Sequence, residues 1–344
     1  MAQAGKYRPP YLAVATEEVR ARVEDALPAN YRPTIFVGQE GYAKLATVPE
    51  ATTVLSAQSG AAGLAGTLAA ALAGRVICLA NKESLVLAGS LVRDIAALTG
   101  SALLPVDSEH NAIFQCLAGR DQDIDTIVLT ASGGPFRGLA FDQMANMRPE
   151  QALAHPNWKM GDKITIDCAT MMNKGFELIE ACVLFRRPME DFSVLMHDES
   201  QVHAAIRYLN NRYICDISNP DMHGPIAYAL AEGEVKYKVK SVQSLWKLKN
   251  LHFHDFEPER YPAVALAKQA YEMGGNALAV LNAANEVAVR AFLDHQIRFT
   301  DIAGEVEVAL RKIPHIDEIS YQELEVTDRM TRAFTEERIR LGAE

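Results

Sequence analysis

The first 110 residues alternate short β-rich runs with segments of helical periodicity, and this alternation restricts the fold more than any other feature of the chain. Helical patterns cover residues 17–27 and about 61–73, and the β-rich runs lie at 11–14, 34–37, 53–57 and 76–80. Strands that alternate with helices pair in parallel and form a doubly wound sheet. We therefore predict an α/β, Rossmann-like N-terminal domain.

Polar residues follow three of the predicted strands, at residues 58–60, 81–84 and 107–109. In open parallel sheets, ligands bind beyond the carboxyl ends of the strands. The three polar segments are therefore expected to converge on one site.

Asp107 and Glu109 can be interpreted in two ways. Two carboxylates at i and i+2 on a turn can both point at one hard cation. Alternatively, Asp107 or Ser108 caps a helix that begins near Asn111, with Glu109 favouring its positive end. Spacing alone leaves both interpretations open.

Two glycine-containing turns also follow strands. Gly60, Gly63 and Gly66 formally resemble a dinucleotide fingerprint, although the G-x-x-G-x-x-G spacing equally suits a helix that packs closely on the sheet. Residues 132–134 read Ser-Gly-Gly, which suits an anion because glycines let backbone N–H groups approach it. An ordinary strand-ending turn is the alternative.

The rest of the chain predicts two further domains. Residues 152–162 form a loop that carries Trp158, residues 164–167 read as a strand, and residues 171–185 as a helix with the polar stripe Asn173, Glu177 and Glu180. More strands are expected before residue 257, and helices after it. The predicted division is 1–105, 106–257 and 258–344, an incomplete doubly wound parallel domain, an α+β catalytic domain and a C-terminal helical bundle.

Composition excludes several classes of partner. A formal net charge of -10 argues against nucleic acid and against an anionic membrane surface. The five cysteines include no C-x-x-C pair, so neither a disulfide framework nor a zinc site is suggested. No apolar run is long enough to span a bilayer, and the N-terminus does not read as a signal peptide. A reducing cytoplasm is expected.

Several motifs, taken together, resemble one enzyme family. They are Ala-Asn-Lys-Glu-Ser at 80–84, Leu-Pro-Val-Asp-Ser-Glu-His-Asn at 104–111, Ala-Ser-Gly-Gly-Pro-Phe at 131–136, His-Pro-Asn-Trp at 155–158, Ala-Thr-Met-Met-Asn-Lys-Gly at 169–175, Pro-Asp-Met at 220–222 and Leu-Asn-Ala-Ala-Asn-Glu at 281–286. In this order they resemble 1-deoxy-D-xylulose 5-phosphate reductoisomerase. The resemblance implies conversion of this sugar phosphate to 2-C-methyl-D-erythritol 4-phosphate in the non-mevalonate isoprenoid pathway, with NADPH, Mg2+ or Mn2+, and a homodimer.

The resemblance also implies roles for individual residues. Asp107, Glu109 and Glu177 would hold the metal, and Lys82, Glu109 and His155 would be catalytic. The substrate would contact a larger set: Lys82, Ser108, Glu109, Ser132, His155, Trp158, Cys168, Asn173, Lys174 and Glu177. Of these, Ser132, Asn173 and Lys174 would face the phosphate, and His155, Trp158 and Met160 would form a lid. The nicotinamide nucleotide would contact Ala57, Asn81, Glu83, Met160, Gly161 and Met222.

Three departures from the family pattern are expected to matter. The family opens with a glycine-rich turn in a first β-α-β unit of roughly 30 residues. The residues before Thr34 contain no such glycine-rich turn. NADPH binding is therefore expected to be weak. Cys168 stands where the family has serine, and a thiol is a weaker donor. Asp198 and Glu199 stand in the family's His-Pro-Gln-Ser segment, near the site.

These departures leave three hypotheses. The first is a reductoisomerase that binds metal but turns over slowly, because the pyrophosphate lacks backbone donors at a helix N-terminus. The second is a divergent paralogue that acts on another sugar phosphate. The third is an inactive homologue that serves as a binding or dimerisation module.

Overall fold

Parallel strands and helices alternate through the N-terminal part of the computed structural model, which describes residues 2–119, 122–154, 158, 160–233 and 250–342. One parallel sheet has two strands and another has three, in the order β3-β4-β5. The strands are β1 (Tyr11–Val14), β2 (Thr34–Val37), β3 (Thr53–Ser56), β4 (Val76–Leu79) and β5 (Ala102–Pro105). The helices are α1 (Ala2–Tyr7), α2 (Glu17–Ala26), α3 (Gly38–Ala46), α4 (Leu64–Leu72) and α5 (Lys82–Thr99). The parallel α/β prediction is confirmed, with the strands divided between two sheets.

A mixed five-stranded sheet follows, in the order β10-β7-β6-β8-β9. Within it, β6 and β7 pair in parallel and the other neighbours are antiparallel. Its strands are β6 (Ile124–Ala131), β7 (Phe192–His197), β8 (Val202–Tyr208), β9 (Tyr213–Ile217) and β10 (Phe253–Asp255). The helices of this region are α6 (Ser108–Leu117), α7 (Phe141–Met144), α8 (Pro149–Ala152), α9 (Asp162–Thr170), α10 (Met172–Phe185) and α11 (His223–Leu230).

Four helices complete the described chain, as predicted: α12 (Pro262–Met273), α13 (Ala277–Leu293), α14 (Asp301–Lys312) and α15 (Tyr321–Leu341). Pro262 begins α12 at a position where its missing N–H costs nothing. Gly275 separates α12 from α13 with a φ of +53°, and a Cβ there would lie 2.1 Å from the Ile316 carbonyl oxygen. None of the described helices combines the length and apolar character needed to cross a membrane.

The predicted strand at residues 164–167 is wrong, because this segment belongs to α9. Gly161 is extended at the N-cap position, and its carbonyl accepts hydrogen bonds from the Thr165 backbone and hydroxyl. Ile166 and Ala169 then share a buried helical face in the main core. Tertiary packing and the helix start thus override the β propensity of a short apolar run.

Close packing fixes α10, which carries Glu177. Gly175 faces α12 so closely that a Cβ would lie 2.6 Å from the Ala267 Cβ. A Cβ added to Gly89 of α5 would likewise lie 2.6 Å from Val183 Cγ2 of α10. The helix is therefore held between α5 and α12, with little freedom to move its polar residues.

Candidate active site

Three carboxylates from two helices meet beyond the carboxyl end of β5. Asp107 precedes α6, Glu109 lies in its first turn, and Glu177 lies on α10; one oxygen of each lies within 4.8 Å of the others. Asp107 occupies the N-cap position of α6, but its side chain makes no capping hydrogen bond. The capping interpretation thus describes only its backbone, and the three carboxylates form a donor set suited to a hard cation.

Two buried lysines contact the same carboxylates. The Lys82 ammonium contacts Asp107 and lies 3.0 Å from Glu177 Oε1, and it donates to Asn173 Oδ1 at 2.7 Å. Lys174 contacts Glu177 and lies 2.7 Å from Glu109 Oε1. The site therefore combines acidic and basic groups, as a centre that binds both a cation and an anion requires.

Burial and neighbouring charges shift the pKa values of these groups in opposite directions. Burial, assisted by Glu109, raises the pKa of Glu177 to about 7. Burial also opposes ionisation of Glu109, but Lys174 and Lys82 outweigh it and hold the pKa of Glu109 well below its usual range. Likewise, burial disfavours the charged form of Lys82, yet Asp107 and Glu177 hold its pKa well above the ordinary value. A cation beside Glu177 would favour its ionised form.

A second group of potential ligands, Asp107, His110 and Glu180, lies behind the first. His110 Nδ1 is 3.4 Å from Glu180 Oε2, and His110 Nε2 is 2.8 Å from the Glu177 carbonyl oxygen, so Nε2 carries a proton. Burial lowers the pKa of His110 to about 4 and raises that of Glu180 well above its ordinary value. We interpret these two residues as neutral buried groups that make no hydrogen bond with each other, and His110 supports the backbone of α10 through Nε2.

A cavity of about 280 Å³ opens beside the carboxylates. Every predicted substrate residue that the structure describes lines it: Lys82, Ser108, Glu109, Ser132, Trp158, Cys168, Asn173, Lys174 and Glu177. His155 lies outside the described residues. The fold thus brings together segments that are far apart in sequence, although their individual roles stay predictions.

The Ser-Gly-Gly turn after β6 contributes to this cavity through Ser132 and Gly133. Gly134 has a φ of +64° and approaches the end of α9, where a Cβ would lie 2.9 Å from the Cys168 carbonyl oxygen. The turn therefore lies against the residue that replaces the family's serine. Burial raises the pKa of the Cys168 thiol far above its ordinary value, so the thiol is neutral.

The predicted lid residues Trp158 and Met160 also line the cavity. The Trp158 ring meets the His203 ring edge to face, with centroids 6.2 Å apart. His203 is 5% exposed and lines the cavity as well. An aromatic side chain thus covers the cavity from the loop side.

The predicted nucleotide residues lie along the strand ends and the cavity. Ala57 is exposed just after β3, and Asn81 Nδ2 donates to the Gln58 carbonyl at 2.6 Å and to Glu83 Oε2 at 3.0 Å. Met160 and Met222 line the cavity, and a Cβ on Gly161 would meet open space. Ala57 and Gly161 are thus exposed and Met160 and Met222 line the cavity, whereas Asn81 and Glu83 are buried, and the contacts of this set with the nucleotide stay a prediction.

The turn at Gly60–Gly63 is a 3-10 helix whose end is occupied by a protein carboxylate. Glu286 Oε1 accepts from the Ala61 N–H at 3.2 Å, and a Cβ on Gly60 would lie 2.4 Å from the same oxygen. This carboxylate disfavours an anion at the turn and so argues against the fingerprint, while Gly66 makes only ordinary contacts, since a Cβ there would lie 3.7 Å from Gln58 Oε1.

The Asp198 and Glu199 carboxylates turn toward β10. Glu199 lies 2.5 Å from His252 Nδ1 and 3.3 Å from His197 Nδ1, and Asp198 lies 3.3 Å from His254 Nε2. Ser200 lines the cavity, whereas neither carboxylate does. The departure from the family pattern therefore acts on strand pairing more directly than on the cavity.

The sequence did not identify Lys163 or His203 as residues of the site. Lys163 and Asp167 stand at i and i+4, a spacing that brings charges together on a helix, but the predicted strand at 164–167 concealed it. His203 had no local signal, because its neighbours simply read as a strand.

Family models and curated relatives identify the same family. Three family models match the chain: 1-deoxy-D-xylulose 5-phosphate reductoisomerase at residues 1–89, the C-terminal domain of that enzyme at 103–185, and the DXP reductoisomerase C-terminal domain at 217–334. A 1-deoxy-D-xylulose 5-phosphate reductoisomerase of Lawsonia intracellularis is 46% identical over 331 residues, covering 96% of this chain and 82% of the relative. One from Nitratidesulfovibrio vulgaris strain Hildenborough is 48% identical, covering 98% and 83%.

Solved structures of this family have a fold similar to that of this chain. A crystal structure of DOX-P reductoisomerase in complex with NADPH, fosmidomycin and magnesium superposes with a TM-score of 0.91 at 38% identity, covering 99% of this chain and 88% of that one. The enzyme from Zymomonas mobilis in complex with NADPH gives 0.88 at 39% identity, covering 98% and 88%.

Proposed function

We propose a function from the premise that this chain belongs to the 1-deoxy-D-xylulose 5-phosphate reductoisomerase family. It is an enzyme that isomerises 1-deoxy-D-xylulose 5-phosphate and reduces the product with NADPH to 2-C-methyl-D-erythritol 4-phosphate. The observation that carries this function is the meeting of Asp107, Glu109 and Glu177 at the substrate cavity.

The carboxylates of Asp107, Glu109 and Glu177 would hold Mg2+ or Mn2+. Three carboxylates, each with an oxygen within 4.8 Å of the others, are a donor set that suits such a hard ion, and the Lys82 ammonium neutralises Asp107 in their midst. When bound, the ion supplies a Lewis acid for the ketone oxygen of the substrate.

Basic and polar groups would orient the sugar phosphate. Lys82 and Ser108 lie beside the carboxylates, where they would bind substrate hydroxyls, and Glu109 would also transfer a proton. Ser132, Cys168, Asn173 and Lys174 also line the cavity and would face the phosphate, and the last two contact the Glu177 carboxylate as well.

The lid and the strand ends would serve the reduction. NADPH supplies the hydride, and Ala57, Asn81, Glu83, Met160, Gly161 and Met222 would contact it. Trp158, Met160 and His155 would exclude water from the closed site.

We also propose the division 1–105, 106–257 and 258–344, a homodimer and a cytoplasmic location. The division follows the change from parallel sheets to the mixed sheet and then to helices.

A dimer is supported by the outer strand β9, whose Tyr213 is 55% exposed and whose Ile217 is 42% exposed. All five cysteines are free, which fits a reducing compartment. Light scattering on the purified protein measures the assembly.

An NADPH absorbance assay tests the function. The protein is given NADPH, Mg2+ and 1-deoxy-D-xylulose 5-phosphate, with EDTA and with the Glu177→Gln variant as controls. We expect oxidation that requires substrate, metal and Glu177, and its rate also tests the expectation of weak NADPH binding. Absence of substrate-dependent oxidation with both Mg2+ and Mn2+ would contradict the proposal and favour another sugar phosphate or a binding module.

A further inference from the structure

We propose that Lys163 is a positioning residue that holds Glu83 in place for NADPH binding and ties the nucleotide side of the site to helix α9. The inference rests on the proposed function and extends it to a residue with no role in the substrate cavity. Three successive contacts carry it.

Lys163 lies between two carboxylates from different parts of the fold. Its ammonium is 2.9 Å from Glu83 Oε1 on α5 and 2.8 Å from Asp167 Oδ2 on its own helix. The same ammonium lies over the Phe176 ring of α10, 5.1 Å from the centroid. One cation thus joins three helices.

Glu83 connects Lys163 to Asn81 and to the loop after β3, where the nucleotide is proposed to bind. Glu83 Oε2 accepts a 3.0 Å hydrogen bond from Asn81 Nδ2, and Asn81 also donates to the carbonyls of Gln58 and Gly60 after β3. Because Lys163 takes the other oxygen of Glu83, it fixes the direction of this carboxylate. That carboxylate is in turn one of the partners that orient Asn81, whose Oδ1 also accepts from the Ser84 N–H at the start of α5.

The Asp167 contact leads away from the nucleotide edge. Asp167 Oδ1 accepts a 2.8 Å hydrogen bond from Asn285 Nδ2 on α13, and both residues are buried. Asp167 precedes Cys168, which lines the substrate cavity, and Lys163 follows Gly161 at the base of the lid. Helix α9 is therefore tied to α5 through Lys163 and to α13 through Asp167.

The charges explain why the lysine is needed. Glu83 and Asp167 are largely buried, with side chains 12% and 3% exposed. Without a cation between them, two carboxylates would face each other with little solvent, which is costly. Glu83 would then rotate toward water and lose its hydrogen bond to Asn81, which would keep only its contacts with Ser84 and the backbone after β3.

The test compares NADPH dissociation constants, measured by nucleotide fluorescence, for the wild type, Lys163→Met, Lys163→Arg and Lys44→Met. Lys44 is the matched control, because its side chain is 64% exposed and lies 3.9 Å from Glu40. We expect Lys163→Met to raise the NADPH constant at least tenfold, Lys163→Arg to restore most of the affinity, and Lys44→Met to change nothing. The Mn2+-induced thermal shift, a readout of the carboxylate centre, should stay within twofold of the wild type.

A double-mutant cycle with Glu83→Gln separates positioning from general stability. If Lys163 acts through Glu83, its replacement should weaken NADPH binding less than twofold in the Glu83→Gln background. Equal effects in both backgrounds would overturn the inference, as would an unchanged constant for Lys163→Met. If the single variant does not fold, Lys163→Met/Asp167→Asn removes the carboxylate repulsion but still lacks the contact between residue 163 and Glu83, so NADPH affinity should stay reduced. Recovery of wild-type NADPH affinity there would mean that Lys163 only neutralises charge and would overturn the inference.

The two proposals fail in different ways. Wild-type protein that binds NADPH but does not oxidise it with the pentulose phosphate contradicts the proposed function, while the ratio of constants still decides the role of Lys163. Wild-type protein that does not bind NADPH overturns both.

Discussion

Lys174 Nζ lies 2.7 Å from Glu109 Oε1, and the same ammonium also contacts Glu177. Two of the three proposed metal ligands therefore share one lysine, which competes with a divalent cation for them. We expect Lys174→Met to bind Mn2+ more tightly, by roughly three- to tenfold, because the competing ammonium is removed. A tenfold change corresponds to about 1.4 kcal/mol of binding free energy. The same variant should raise the KM for the sugar phosphate, since the phosphate loses its point charge. Mn2+ titration and steady-state kinetics check both effects, and weaker Mn2+ binding would contradict the competition.

Glu177→Gln should abolish the stabilisation by Mn2+. Binding at about 100 times the dissociation constant adds roughly 2.7 kcal/mol to the free energy of unfolding, and an amide oxygen replaces the charged ligand poorly. Thermal unfolding with and without Mn2+ measures the effect, with the exposed Glu307→Gln as the matched control. An equal Mn2+ shift in both variants would argue that Glu177 is not a ligand.

Cys168→Ser should lower the KM for the sugar phosphate about two- to tenfold and leave the unfolding temperature unchanged. The neutral thiol lies in the cavity and is a weak donor, whereas a hydroxyl of similar size donates well to a phosphate oxygen. Kinetics with 1-deoxy-D-xylulose 5-phosphate measure the change. If the variant and the wild type both leave this substrate unconverted, the paralogue hypothesis is favoured.

Gly175→Ala should destabilise the protein by about 1–3 kcal/mol, the usual cost of overpacking, and should reduce activity. The added Cβ would lie 2.6 Å from the Ala267 Cβ and would push α10, with Lys174 and Glu177, away from α12. Denaturant unfolding measures the change.

Two further variants test the reason for this loss. Gly304→Ala lies in α14 with no atom within 4 Å of the new Cβ, so it should stabilise by roughly 0.5–1 kcal/mol through helix propensity. Ala267→Gly should restore part of the loss in the Gly175→Ala background. Absence of that recovery would mean that the close approach of the helices is not the cause.

The sequence predicted local features better than contacts between distant segments. The strands before residue 105 were predictable because each is a short apolar run bounded by turns, and parallel pairing then places residues 81–84 and 107–109 at one edge. Glu177 could not be assigned from its polar stripe, because a solvated face has the same pattern; only the resemblance connected it with Asp107. The helix at Asp162–Thr170 was missed because its stability comes from packing and from the Lys163–Asp167 pair.

The ion pair between Glu199 and His252 should make stability depend on pH. The hydrogen bond that His252 donates to the Glu199 carboxylate raises the pKa of His252, so its contribution is complete below the unfolded value of about 6.5 and is lost as pH rises through the higher folded value. Burial opposes ionisation of Glu199, but hydrogen bonds from His252 outweigh it and lower the pKa of Glu199. Its contribution is therefore present above its unfolded value of about 4.3 and is lost as pH falls through the lower folded value.

The pair thus stabilises the contact between β7 and β10 most strongly between about pH 4.3 and 6.5. We expect Glu199→Gln to lower the unfolding temperature most in this window and progressively less toward pH 9. Glu257→Gln is the control, because Glu257 is exposed and lies 3.7 Å from Arg260, whose charge does not change over this range. A difference between Glu199→Gln and the wild type that is constant from pH 5 to pH 9 would show that the His252 charge does not contribute, and that only the backbone hydrogen bond from His252 to Glu199 holds the strand.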